Sequence, residues 1–303
     1  MPELPEVEVV RRGLEPFTVG RTITELEVVD PRIIRRQEGG ADRLRATTLG
    51  TRLTAVERRG KFLWWRMAHE DGADTGDALL AHLGMSGQLR IRTPGKDPVG
   101  LRHRRLTLTL DDGSAVDLID QRIFGGIWTS PLVAVPPGTV AAAAEGEILP
   151  ADVTHIAQDL LDDALNLPVL ARRIRTRRAP IKSLLLDQGI VSGVGNIYAD
   201  EGLWAARVRY DTPGQALSQR KTLELLRDTR AVMERALAVG GTSFDDLYVN
   251  VDGRSGYFAR SLHAYGRDGE PCPRCGTPIR RVAFTNRSSH FCPRCQRKRY
   301  APG

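Results

Sequence analysis

Cys272-Pro273-Arg274-Cys275 and Cys292-Pro293-Arg294-Cys295 hold all four cysteines of the chain, in two pairs separated by 16 residues. A two-residue gap lets both thiolates of a pair reach one ion. A second such knuckle completes a tetrahedral site that is closed by protein ligands and is therefore structural. One Zn2+ is the ion this donor set predicts; two disulfides or a redox pair are the alternatives. Between the knuckles, Arg280-Arg281-Val282-Ala283-Phe284-Thr285-Asn286-Arg287-Ser288-Ser289 reads as an antiparallel hairpin. A metal-pinned hairpin presenting arginines and hydroxyls suits a groove or phosphate contact, although a protein-binding ribbon has the same pattern.

Charge favours the first reading. The chain has 303 residues and a formal net charge of +7. From Pro271 onward it carries Arg274, Arg280, Arg281, Arg287, Arg294, Arg297, Lys298 and Arg299, with no Asp or Glu. A second acid-free run holds Arg172, Arg173, Arg175, Arg177, Arg178 and Lys182. One basic run is usually a solvated face. Two runs, one of them beside a metal motif, point to a polyanion whose counterions are released on binding. The composition, 41% hydrophobic and 27% charged, is globular. No apolar run nears the roughly 20 residues needed to span a bilayer. The acidic opening lacks the basic and apolar regions of a signal peptide. A cytoplasmic protein without membrane contact is expected, and structural disulfides are not.

Upstream, residues to about 130 read as an opening helix followed by short β-rich runs at Ile23–Val29, Arg52–Arg58, Phe62–Met67, Gln88–Arg92, Leu106–Leu110 and Ala115–Leu118. Turns such as Glu70-Asp71-Gly72 and Asp111-Asp112-Gly113 separate them, which predicts an antiparallel sandwich. Pro131 to Pro150, with Pro136-Pro137-Gly138 and an alanine run, reads as a linker. Asn196–Val208 and Gln215–Val239 then show helical spacing, with Leu223, Leu226, Met233 and Leu237 apolar, before the stop at Gly240-Gly241. Asn250 to Gly256 reads as a mobile loop.

The N-terminus begins Met1-Pro2-Glu3-Leu4-Pro5-Glu6. Taken alone this is a helix start, with Val7, Val10 and Leu14 along one side. Pro2 also permits removal of Met1, which would leave a secondary amine. At pH 7 roughly 10% of an α-amino group is neutral, against roughly 0.04% of a lysine. An iminium formed by a secondary amine is necessarily cationic and so a good electron sink, and Glu3 and Glu6 lie beside it for proton transfer.

Five blocks occur in order: Pro2-Glu3-Leu4-Pro5-Glu6, His82-Leu83-Gly84-Met85-Ser86-Gly87, Asp120-Gln121-Arg122-Ile123-Phe124-Gly125, Gly193-Val194-Gly195-Asn196-Ile197-Tyr198 and the paired cysteines. In this combination the chain closely resembles the bacterial formamidopyrimidine-DNA glycosylase (Fpg, or MutM) family over essentially its whole length. The resemblance implies that Pro2 attacks the sugar C1′ of a damaged nucleotide and that Glu3 acts as general acid and base. It further implies that Lys61 serves β-elimination and that Arg287 serves δ-elimination and meets phosphates. His103, Arg122, Arg177, Lys182 and Asn196 match the family's DNA contacts. Met85, Arg122 and Phe124 match the side chains that fill the gap left by a flipped nucleotide; alone, Met85 or Phe124 would read as core. The loop departs from the family's common form, in which proline precedes and a second arginine follows Arg122; here these are Gln121 and Ile123.

The expectation is thus an α+β protein: a β-sandwich with an N-terminal helix (1–130), a linker (131–152), a helix–two-turns–helix domain with a lesion loop (153–262) and a zinc ribbon (263–303). Its implied function is that of a bifunctional glycosylase and abasic-site lyase, monomeric, acting on oxidised purines in double-stranded DNA in base excision repair. An endonuclease VIII-type enzyme for oxidised pyrimidines and a non-catalytic zinc-ribbon DNA binder are the rivals. Leu4 stands where the former typically has glycine, and the latter leaves Pro2, Glu3 and Lys61 without a purpose.

Overall fold

The computed structural model describes residues 2–94, 102–136, 146–241, 251 and 258–298. Met1, Arg299 and all of the 250–256 loop but Val251 lie outside the described residues.

Helix α1 (Leu4–Thr18) opens the chain and buries Val7, Val10 and Leu14. Strand β1 (Ile23–Val28) is followed by a 3-10 turn (Pro31–Ile34) and helix α2 (Gly40–Thr48). Strands β2 (Arg52–Arg59), β3 (Phe62–Ala68), β4 (Asp74–His82), β5 (Gln88–Arg92), β6 (Arg104–Leu110), β7 (Ala115–Ile119), β8 (Gly126–Ala134) and β9 (Ile148–Pro150) complete two antiparallel sheets. One sheet has the order β1-β6-β7-β5 and the other β2-β3-β4-β8-β9. Leu26, Leu63, Trp65, Leu79, Leu106 and Leu118 join the α1 side chains in the core of this sandwich.

The sandwich therefore extends further than the sequence suggested. Residues 131–134 and 148–150, read as linker, are strand, and their pairing covers Leu132↔Pro150 to Ala134↔Ile148. Residues 137–145 between them lie outside the described residues. Residues 69–73 form the turn between β3 and β4, so β4 begins at Asp74.

The helical part comprises α3 (Leu167–Arg175), α4 (Ile181–Leu186), α5 (Asn196–Ala205) and α6 (Gln219–Ala238). On α6 the buried face is Leu225, Leu226, Val232, Met233 and Ala236 with two threonines, while Leu223 and Leu237 are half-buried. Gly202 of α5 lets α6 come close: a Cβ there would lie 2.1 Å from Thr229 Oγ1. Strands β10 (Arg280–Phe284) and β11 (Arg287–Phe291) form the expected hairpin, in register Arg280↔Phe291 to Phe284↔Arg287.

Candidate active site

Leu4 fixes the start of the chain. Its side chain is fully buried in the core of the helical part, and its N–H donates to Gly193 O at 3.1 Å. Gly193 has φ +81°, and a Cβ there would sit 2.7 Å from Leu4 Cβ, so glycine is required. The Glu3 N–H donates to Glu6 Oε2 at 2.9 Å, and Tyr198 Oη donates to Glu6 Oε1 at 2.6 Å. The first residues are thereby clamped between the sandwich and α5.

The Glu3 carboxylate lies on the N-terminus of α5. It accepts the N–H groups of Gly195 (2.9 Å), Ile197 (3.0 Å) and Tyr198 (3.3 Å), donors that a helix start leaves unsatisfied. Glu3 is only 1% exposed. Burial raises its pKa, opposed by Lys61, reinforced by Glu6 and opposed again by the Ile197 and Tyr198 amides, and burial prevails. A carboxyl poised in this way can hold a proton for transfer.

Lys61 stands just after Gly60, whose φ of +58° makes the turn between β2 and β3. Its Nζ reaches Val194 O at 3.4 Å. Burial lowers the Lys61 pKa, Glu3 raises it and Arg287 lowers it, for a net fall. Arg58 and Asp159, which the sequence did not single out, hold this turn. The buried Arg58 guanidinium joins Glu8 (2.9 Å), Asp159 (2.7 Å) and Gly60 O (3.0 Å).

Pro2, Lys61, His82, Gln188, Val194 and Arg287 are among the residues lining one cavity of about 250 Å³. The chain start, the half-buried Lys61 and the hairpin arginine, expected from separate parts of the sequence, therefore meet. The sequence marked His82 only as the first residue of its motif. Its Nδ1 accepts the Gly84 N–H at 3.2 Å, which leaves the proton of the neutral ring on Nε2. Burial, together with Arg36, Lys61 and Arg35, pushes its pKa down to about 4.

Met85 and Phe124 are 42% and 49% exposed, which excludes the core reading. The Arg122 guanidinium lies 5.1 Å from the Phe124 ring centroid. The loops are joined back to back: a Cβ on Gly84 would lie 2.5 Å from Gly125 N. Buried Asp120 accepts the Ser86 hydroxyl (2.6 Å) and the Arg122 (3.1 Å) and Gly125 (2.8 Å) amides.

The expected DNA contacts divide. Asn196 begins α5 and, with Tyr265, Arg281 and Arg287, lines a second cavity of about 600 Å³. Arg287 thus borders both cavities. His103 is half-buried at φ +72°, with Nδ1 3.4 Å from Arg105 Nη2. Arg177 is exposed just beyond α3. Lys182 differs from the expectation: it is fully buried, and its Nζ donates to Asp200 Oδ1 (2.6 Å) and Ser288 O (2.8 Å). Its charge is spent inside the protein, tying α4 and α5 to the hairpin. Arg173 and Arg175 of the second basic run likewise donate to Gly189 O and Leu217 O.

The four cysteine sulfurs lie within 4.8 Å of one another. Trp204 Nε1 and the Cys295 amide donate to Cys272 Sγ and Cys292 Sγ, each at 3.4 Å, as suits thiolates. An all-sulfur set of four this close fits a tetrahedral zinc ion. Glu201 docks the ribbon by accepting the amides of His263, Ala264 and Tyr265.

A sandwich domain, a helical domain and a cysteine ribbon meeting at one buried acid–amine site define a zinc-finger DNA glycosylase of base excision repair. The comparisons give the family. The formamidopyrimidine-DNA glycosylase N-terminal domain matches residues 1–127, the H2TH domain of the same glycosylase matches 156–247, and the zinc finger found in FPG and IleRS matches 269–297. Formamidopyrimidine-DNA glycosylase of Nocardioides sp. is 52% identical over 299 residues, covering 98% of this chain and 94% of its own length. That of Corynebacterium efficiens is 52% identical over 300 residues, covering 99% and 100%. Among solved structures, MutM (Fpg) from Thermus thermophilus is 34% identical with TM-score 0.77, covering 97% of this chain and 98% of its own. A Lactococcus lactis Fpg variant in complex with Fapy-dG-containing DNA is 29% identical with TM-score 0.80, covering 98% and 100%. The chain belongs to the formamidopyrimidine-DNA glycosylase family, and it is an enzyme with that family's glycosylase and abasic-site lyase activity.

Proposed function

We propose that the chain excises oxidised purines, 8-oxoguanine and formamidopyrimidines, from duplex DNA and then cleaves the strand at the abasic site. The damaged nucleotide is flipped toward the smaller cavity, while Met85, Arg122 and Phe124 occupy its place in the stack. With Met1 removed, the Pro2 amine attacks C1′. Glu3, its pKa raised by burial, protonates the opening sugar as the base departs, which leaves a cationic iminium on Pro2. Loss of the C2′ proton, with Lys61 as base, expels the 3′ phosphate. Arg287 assists the second elimination, and His103, Arg177 and Asn196 hold phosphates. A structural Zn2+ on Cys272, Cys275, Cys292 and Cys295 would fix the hairpin that carries Arg287. We place the activity in the cytoplasm, on nucleoid DNA, with the protein acting as a monomer.

The observation that carries this reading is the shared cavity of Pro2, Lys61 and Arg287, with the Glu3 carboxylate buried beside it. Single-turnover base release from duplexes carrying 8-oxoguanine, formamidopyrimidine or an oxidised pyrimidine tests it. Faster release of both purine lesions is expected; preference for the pyrimidine would overturn the substrate assignment.

A further inference from the structure

Ile123 sits in the loop between Arg122 and Phe124 with φ +55°, a conformation that β-branched side chains rarely adopt. With Gln121 rather than proline before Arg122, no ring locks the backbone on the approach to this turn. Such a conformation persists only where its surroundings over-determine it. Asp120 supplies half of that determination, through the amides of Arg122 and Gly125.

The other half comes from outside the loop. Arg35, just beyond the 3-10 turn, aims its guanidinium at three successive carbonyls. Nη1 donates to Gly125 O at 2.6 Å and Ile123 O at 3.3 Å, and Nη2 donates to Phe124 O at 2.9 Å. Nη1 also reaches Arg32 O at 3.1 Å, which anchors the fork to its own turn. No carboxylate pairs with Arg35 among the described residues. A planar fork of five donors can span several carbonyls at once, which a lysine ammonium on a flexible stem does not reproduce.

The geometry points to Arg35 as the positioning residue for strand penetration: it holds the 123–125 backbone so that Arg122 and Phe124 project before DNA arrives. The inference rests on the wedge reading of Met85, Arg122 and Phe124. A wedge ordered in advance loses less conformational freedom when it replaces a nucleotide, so its loss should appear where stacking must be broken and not where a base is already missing.

The test compares the processed full-length protein with Arg35→Met, Arg35→Lys and Phe124→Ala. Single-turnover base release is measured on 8-oxoguanine duplex, and strand cleavage on a preformed abasic duplex. Amide exchange of the 119–127 segment is followed without DNA. Both Arg35 variants should slow release by about 10-fold or more and speed exchange, while abasic cleavage stays within about twofold. Equal losses on both substrates, Arg35→Lys behaving as the wild type, or unchanged exchange would each overturn the proposal. So would a salt slope of DNA binding reduced by about 0.9, which marks a lost phosphate contact. If Phe124→Ala is harmless, the wedge reading fails and takes the proposal with it. If Phe124→Ala is damaging and Arg35→Met harmless, the proposal alone fails.

Discussion

The Glu3 carboxylate accepts the backbone N–H of Gly195 at 2.9 Å, across 192 positions of sequence. One hydrogen bond therefore joins the residue next to Pro2 to the start of α5 and makes the Glu3 carboxyl part of the contact between the sandwich and the helical domain. Any movement of α5 moves the acid.

Gly195→Ala should dislocate that acid. A Cβ at 195 would lie 2.2 Å from Glu3 Cδ, far inside contact distance. Base release should fall by about the 100-fold or more that a general acid contributes, with affinity for abasic duplex within about tenfold. Wild-type release rates in a folded Gly195→Ala protein would show that Glu3 need not occupy this seat.

Lys182→Met should behave as a fold mutation. Removing the lysine leaves Asp200 buried without its cation, at a cost of about 3–5 kcal/mol. The melting temperature should drop while the salt slope of DNA binding stays unchanged, and Lys182→Met with Asp200→Leu should regain part of the loss. A slope lower by about 0.9 at constant melting temperature would mark a phosphate contact instead.

His82 sets an acid limit on stability. Its folded pKa is about 4 against an ordinary 6.5, so between these values the unfolded chain binds a proton that the folded protein refuses. Stability contributed by the neutral ring is complete above pH 6.5 and is lost as pH falls toward 4, by up to about 2 kcal/mol at pH 5. His82→Asn should therefore narrow the difference in melting temperature between pH 7 and pH 5. An unchanged difference would place the acid sensitivity elsewhere.

Cys272→Ser or chelation should abolish DNA binding before it unfolds the sandwich. A ribbon held by four sulfurs gains its folding energy from the ion, and with it Arg287 loses its placement. Undiminished affinity in verified metal-free protein would contradict this.

Much of this was legible in the sequence, for identifiable reasons. The cysteine spacing announced the ribbon, and the alternating runs announced most strands. Strands β4 and β8 escaped because their inner halves are buried almost throughout, so the period-2 signal vanishes, and Pro131 in β8 resembles a breaker. Pro2 and Glu3 stood out through the chemistry of a proline amine, whereas Lys61 and Arg287 acquired roles only through the family resemblance. Their meeting depends on Leu4 and Gly193, packed together from distant parts of the chain. Lys182 misled because charge on a sequence says nothing about burial, and its partner Asp200 sits on another helix. Arg35 carries no motif at all, since its partners are backbone carbonyls.

The most direct test of the account is borohydride reduction of the processed enzyme on abasic duplex, followed by peptide mapping of the adduct by mass spectrometry. A DNA remnant on the nitrogen of Pro2 is expected, and no adduct in protein that retains Met1. An adduct on Lys61, or equal trapping with Met1 in place, would contradict it.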